Sequence, residues 1–113
     1  MKKTNPNFLN GVPELVVLRL LNEREMYGYE IVRSIEGRSN GHLSFAEGCI
    51  YPVLHGLEER QLVKSRRRTV DGRSRLYYRL AAKGRLRLTF LEGEWRDVTV
   101  GIDLLMGGRR AAS

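Results

Sequence analysis

The sequence predicts a mainly α-helical domain with one small β-hairpin, and three observations carry that reading. Apolar residues recur at helical spacing through three segments in the first half of the chain. An Asp-Gly pair, Asp71-Gly72, then separates two runs of strand-forming residues, a strong hairpin signal. After the hairpin, a long segment carries apolar positions three and four apart, the repeat of a helix that packs against another helix.

The bounds are simple. A chain of 113 residues is one domain by the usual prior, able to build one modest core. The lone Cys49 rules out an internal disulfide and fits a reducing compartment. No apolar run approaches the ~20 residues a membrane helix needs. The start "MKKTNPNFLN" has no apolar stretch of a secretion signal, so a cytoplasmic location is expected.

The elements follow in order. "PELVVLRLLNE" opens with Pro13, suited to a first helical turn. It is apolar nearly all round, as a buried helix is. "MYGYEIVRSIEGR" predicts a second helix with Tyr27, Ile31, Val32 and Ile35 on one side, ending near Gly37. "SNGHL" is a turn. The third helix lies within residues 46–63, "AEGCIYPVLHGLEERQLV", with Ile50, Val53, Leu54 and Leu57 as its apolar stripe.

That third helix carries three breakers, Gly48, Pro52 and Gly56. Each glycine costs a helix about 1 kcal/mol against alanine, and an interior proline about 3. They lie opposite the apolar stripe, beside Tyr51, His55 and Glu59. A core helix gains nothing from such a face, whereas small residues let a second surface approach and let Tyr51 and His55 reach it. Pro52 is expected to fall near the helix start, where free amides are normal.

The hairpin "LVKSRRRTVDGRSRLYYRL" is basic. Between Arg60 and Arg87 stand eleven Lys or Arg and a single acid, Asp71, while the remaining residues hold nine bases and twelve acids. Positive charge gathered on one element points to a polyanion, against the plainer reading of a solvated face. On the return strand Leu76, Tyr78 and Leu80 point one way and Arg75, Tyr77 and Arg79 the other. On the outgoing strand Leu62 and Lys64 share one face, Val63 and Ser65 the other. Arg66, Arg67, Arg68, Arg73 and Arg75 crowd the tip of a two-stranded ribbon. Helix, helix, turn, helix, basic hairpin is the order of a winged helix-turn-helix. In that architecture the third helix enters the major groove, and the wing lies on the backbone or in the minor groove.

The last helix is expected over residues 83–106. Leu88, Leu91, Trp95, Val98, Ile102 and Leu105 form a heptad seam along it. At 1.5 Å per residue the helix spans ~36 Å, more than one small domain can cover. The seam should therefore face a second subunit, with Leu86 and Phe90 turned inward. Trp95 is either a large residue of that seam or a platform for an aromatic ligand. Residues 1–12 read as an extension, 13–80 as the winged helix, 81–106 as the dimerisation helix and 107–113 as an unstructured tail.

No catalytic constellation is visible. His42, His55 and Cys49 have no metal-ligand spacing, and no phosphate loop or nucleophile motif occurs, so neither enzyme activity nor a cofactor is expected. Cys49 as a redox switch stays open beside an inert thiol.

"MYGYEI", "GCIYPVLHGLE", "RSRLYYRL" and the following "AKG" resemble the PadR family of transcriptional regulators, in order and at the family's spacing over about residues 13–106. The resemblance implies a winged-helix homodimer on a pseudo-palindromic operator in double-stranded DNA. It implies a repressor, often released by a small molecule; an aromatic effector stacked on Trp95 is expected instead from the place of that residue in the middle of the seam. The chain resembles the smaller size class, with a single C-terminal helix. Tyr51 and Pro52 match the family's recognition-helix pair, and Arg73, Arg75 and Tyr77 its wing motif. Adding neighbours on the same faces, the expected DNA contacts are Gly48, Cys49, Tyr51, Pro52, His55, Arg66, Arg73, Arg75 and Tyr77. Three departures stand out. Cys49 replaces a common Thr, Ala81 replaces a Thr that caps the last helix, and Ala46 sits at a frequent cap. Ser44 with Glu47 offers a capping box in its place, or "LSF" a short strand. A non-specific nucleic-acid module and a protein-interaction adaptor are the alternatives.

Overall fold

Four helices and a three-stranded antiparallel sheet make up the computed structural model, which describes residues 11–108. In chain order these are α1 (Val12–Glu23), β1 (Met26–Tyr27), α2 (Gly28–Arg38), α3 (Glu47–Glu59), β2 (Val63–Val70), β3 (Arg73–Leu80) and α4 (Ala82–Leu105). The extension expected over 1–12 lies outside the described residues except for Gly11 and Val12. The tail expected over 107–113 lies outside them except for Gly107 and Gly108. Val12 is buried and opens α1, and Gly108 donates its N–H to the Asp103 carbonyl at 2.8 Å, closing the end of α4.

The core forms where the apolar stripes converge. Val17 and Leu18 of α1, Ile31 of α2, and Ile50 and Leu54 of α3 are fully buried. Phe45, just before α3, and Tyr78 of β3 join them at 1% exposure. The hairpin closes through Asp71 and Gly72, both left-handed at φ 53° and 77°, as a type I′ turn requires. Its register pairs Val63 with Leu80 and Val70 with Arg73. The Leu76, Tyr78 and Leu80 face packs on the helices, as the alternation predicts.

The structure departs from the sequence reading at four places. Met26 and Tyr27 are not the first turn of a helix. They pair with Tyr78 and Tyr77 and add a third strand to the ribbon, because β3 offers a free edge and the residue before a helix is extended. Ser44 forms no capping box; its hydroxyl donates to Glu36 at 2.7 Å, so α3 starts without a side-chain cap, and "LSF" pairs with no strand. Pro52 is the sixth residue of α3, beyond the amides that any helix start leaves free. The bond it removes is a real loss, and the carbonyl thereby freed belongs to Gly48 on the exposed side.

The fourth departure concerns α4. Leu88 is buried in the subunit's own core and Leu91 packs against it, whereas Leu86 and Phe90 are 75% and 55% exposed. The helix is rotated from the expected setting because of Gly84. Its α-carbon lies so close to the hairpin base that a Cβ there would sit 2.1 Å from the Leu62 carbonyl oxygen. That contact fixes the rotation and turns Leu88 inward. Farther along, Val98, Val100, Ile102, Leu104, Leu105 and Met106 are all about half exposed or more. The radius of gyration is 15.5 Å, against about 13 Å for a compact domain of this size, and the longest extent is 52 Å. No described helix is long and apolar enough to cross a membrane.

Two glycine substitutions should have opposite signs. Gly37 faces open space near the end of α2, so Gly37→Ala should stabilise by a few tenths to about 1 kcal/mol through helix propensity. Gly84→Ala must displace backbone and should destabilise by about 1–3 kcal/mol. Urea titrations of both variants check this; equal and small effects would mean that α4 is not seated against Leu62.

Candidate nucleic-acid interface

The site begins with α3. Gly48, Pro52, His55 and Glu59 are exposed on its outer face, and Gly56 is half-buried. Tyr51 is expected on that face as well, but its ring folds back over the start of α2. A Cβ built on Gly28 would lie 2.5–2.6 Å from the phenol ring and hydroxyl of Tyr51, so only glycine fits there. Burial and the nearby Glu47 carboxylate push the Tyr51 phenol above its usual range, which keeps it a neutral donor. Cys49 is half-buried, and burial alone raises its thiol, the opposite of an activated thiolate.

Between α3 and the hairpin runs an open groove of about 550 Å³. Tyr51 and His55 line it from α3, Gly28 and Tyr29 from α2, and Arg67, Arg73, Arg75, Leu76 and Tyr78 from the hairpin, with Tyr27 at one edge. Glu58 anchors the hairpin to α3 by accepting a hydrogen bond from Ser65 at 2.5 Å. The groove therefore has an aromatic floor and a basic rim.

On the opposite face of the hairpin Arg66 and Arg68 are engaged by Glu25, while Arg75, which also reaches the groove, stacks on a tyrosine. Glu25 accepts two hydrogen bonds from Arg66, at 2.9 and 3.1 Å, and one from Arg68 at 2.8 Å. Arg68 stacks on Tyr77 at 4.6 Å and Arg75 on Tyr27 at 4.3 Å. The Tyr27 and Tyr77 rings meet edge to face with centroids 5.4 Å apart. Tyr77, expected at the DNA surface, is 6% exposed beneath this layer. The Arg66 guanidinium holds the Glu25 carboxyl below the usual carboxylate range, with Arg68 adding to it.

Of the residues singled out from sequence, the structure gathers His55, Tyr51, Arg73 and Arg75 around one groove. Gly48 and Pro52 stand exposed on the same helix. It places Arg66 and Tyr77 on the other side of the sheet. Sequence reasoning missed Arg67 as a groove residue, along with Gly28, Tyr29 and Glu25. Period-two alternation pointed to Arg67, since it faces the same way as Leu76. Nothing local marked Glu25, whose partners lie 41 and 43 residues away. Among the described residues no group of three or more His, Cys, Asp or Glu is placed to hold a metal ion.

The fit of Tyr51 over Gly28 predicts a coupled pair. Gly28→Ala should lose about 1–3 kcal/mol by forcing the ring outward. In the double variant Gly28→Ala/Tyr51→Ala the two losses should fall well short of additive, because the clash is gone. Additive losses in a denaturant-unfolding cycle would show that the two residues do not meet.

A model of the transcriptional regulator PadR-like family matches residues 17–89. An uncharacterised protein of Lysinibacillus sphaericus is 35% identical over 103 residues, covering 90% of this chain and 94% of that protein. The transcriptional regulator Rv3488 of Mycobacterium tuberculosis is 33% identical over 82 residues, covering 73% of this chain and 74% of its own length. The crystal structure of a PadR-like transcriptional regulator from Bacillus cereus superposes with a TM-score of 0.78 at 27% identity, covering 91% of this chain and 99% of that one. With residues 17–89 inside the family model and its fold shared with that structure over 91% of the chain, the chain belongs to the PadR-like family of transcriptional regulators.

Proposed function

We propose that the chain is a sequence-specific DNA-binding repressor that acts as a homodimer in the cytoplasm and leaves its operator when an aromatic small molecule binds. The observation that carries the DNA reading is the groove between α3 and the hairpin. When a helix lies in the major groove and a wing in the adjacent minor groove, the sugar–phosphate strand dividing the two grooves passes between them. Arg67, Arg73 and Arg75 rim the channel where that strand would run, with His55 and Tyr51 at its α3 edge. Arg67 and Arg73 make no ion pair among the described residues, so their charge is available to phosphate. Gly48, Cys49 and Pro52 belong to the same reading as the part of α3 that approaches the bases. Arg66 and Tyr77, drawn into the layer above Glu25, support the wing from behind.

The dimer reading rests on α4. An isolated subunit leaves Trp95, Val98, Ile102 and Leu105 at 42%, 47%, 50% and 88% exposure on one side of the helix. A contiguous apolar face of this kind marks a protein interface. Leu88 and Leu91 continue the seam into the subunit's own core, so the second copy is assigned to the seam from Trp95 onward. A twofold pair reads two half-sites about one helical turn apart, which supplies the selectivity that a single wing lacks. Trp95 stands between two hollows, one of about 300 Å³ walled by Val12, Leu15, Leu91 and Val98, the other of about 670 Å³ with Arg19, Glu92 and Arg96. A flat apolar ligand stacked on Trp95 at the subunit boundary would change how the two copies meet. Repression, like release by an effector, follows the usage that the family resemblance implies.

Arg73→Ala should weaken binding to every duplex and reduce the slope of log K against log salt by about one unit. His55→Ala, on an exposed side chain, should cost the operator about 1–3 kcal/mol and a random duplex far less. Anisotropy titrations at several salt concentrations measure both, and an unchanged slope for Arg73→Ala would remove the wing from the interface.

Ile102→Asp should break the dimer, since it places an unpaired charge in the seam. Sedimentation of the unaltered chain as a folded monomer would overturn the dimer. An effector that releases DNA without altering Trp95 fluorescence would place its site elsewhere.

A further inference from the structure

The wing arginines divide into two groups by what holds them. Arg67, on the Leu76 face of β2, and Arg73, at the start of β3, both line the groove beside α3 and pair with no carboxylate among the described residues. Arg66 and Arg68 lie on the other face, each two residues from the next along β2, and both grip one carboxylate. That carboxylate is Glu25, from the link between α1 and β1, only 15% exposed. Its two oxygens accept a fork from Arg66 and a third bond from Arg68.

A carboxylate gripped by a guanidinium fork presents the geometry a phosphate would present. We propose that Glu25 is a built-in substitute for DNA phosphate, a positioning residue that keeps Arg66 and Arg68 off the backbone and so sets how many charges the wing delivers to DNA. This rests on reading the hairpin as a DNA-contacting wing. The physical reason is an exchange penalty. For either arginine to reach a phosphate it must first give up its charge-assisted bonds to Glu25, so the phosphate gains only the difference between two similar pairings. Arg68 would also surrender its place on the Tyr77 ring. Arg67 and Arg73 face no such exchange, so they meet DNA first. The consequence is functional. Phosphate contacts carry no sequence information and strengthen binding to any duplex. Removing two of them from the wing lowers non-specific binding while leaving α3 free to read bases.

The test uses the full chain, a random-sequence duplex and potassium chloride titrations read by anisotropy. Arg66→Ala in the native chain should leave the salt slope unchanged. Glu25→Gln should steepen it by one to two units, at about 0.9 per phosphate gained, and should tighten binding to the random duplex. Arg66→Ala added to Glu25→Gln should return about one of those units. The inference is overturned if Arg66→Ala in the native chain lowers the slope as Arg73→Ala does, because Arg66 would then already be on the backbone. It is equally overturned if Glu25→Gln leaves the slope at its native value. Should Glu25→Gln fail to fold, the native-chain comparison of Arg66→Ala with Arg73→Ala still decides. If Arg73→Ala also leaves the slope unchanged, the wing reading itself is wrong and this inference falls with it, an outcome distinct from failure of the Glu25 site alone.

Discussion

Two residue pairs of backbone, Met26 beside Tyr78 and Tyr27 beside Tyr77, hold the hairpin to the helical body. They add to the packing of Leu76, Tyr78 and Leu80 on the helices and to the Ser65–Glu58 bond, and together these fix the direction of the wing. A two-stranded ribbon is marginal by itself, and a third strand with a buried side chain is what makes it part of the fold. Met26 provides that side chain at 2% exposure. The same short strand sets three neighbours at once. Glu25, just before it, comes against Arg66 and Arg68. Tyr27 comes under Arg75 and against Tyr77. Gly28, just after it, opens α2 where the Tyr51 ring must lie. The groove walls, its aromatic floor and the partition of the arginines all follow from where this strand pairs.

The other end of the interface is tied to α4. The Gly84 contact with Leu62 seats the first turn of α4 on the base of the hairpin, and the Ala81 amide donates to the same Leu62 carbonyl at 3.0 Å. One oxygen of Glu14 in α1 accepts from Arg60 at the end of α3 and from Arg87 in α4, each at 3.1 Å. An exposed ion pair contributes little to stability. Glu14 is only 17% exposed, however, and joins three helices through one group. α3, the base of the hairpin and α4 are therefore tied together through Glu14 and the Gly84 contact. If two copies pack along α4 as proposed, these ties predict that a change in that packing alters the separation of their α3 helices.

How much was legible in the sequence follows from the range of each interaction. The helices came from 3.6-residue periodicity and the hairpin from Asp71-Gly72, and both signals are local. α3 was placed within a few residues because Ile50, Leu54 and Leu57 form an unbroken buried stripe. β1 was missed because two residues carry no period, and helix propensity claimed them. The rotation of α4 was missed because heptad spacing tells which residues share a face, not which partner they meet. A single backbone contact at Gly84 decided that. On the wing, the alternation of faces was read correctly, but arginine content was equated with charge presented to solvent. Correcting that needed Glu25, 41 residues from Arg66 along the chain.

That last correction changes how the charge of the chain is understood. The formal net charge of +7, concentrated on the hairpin, suggests a protein that adheres to any polyanion. Specificity is the difference between operator and bulk DNA, and each contact common to both strengthens the competitor along with the target. Arg66 and Arg68 spend their charge on Glu25, and Arg75 lays its own over Tyr27. Stacking there orients the fork without neutralising it. What remains aimed at the α3 groove is a small set of cations beside a helix face of glycines, proline and histidine. On the proposed reading, such a surface would leave arbitrary DNA readily and stay where the bases fit.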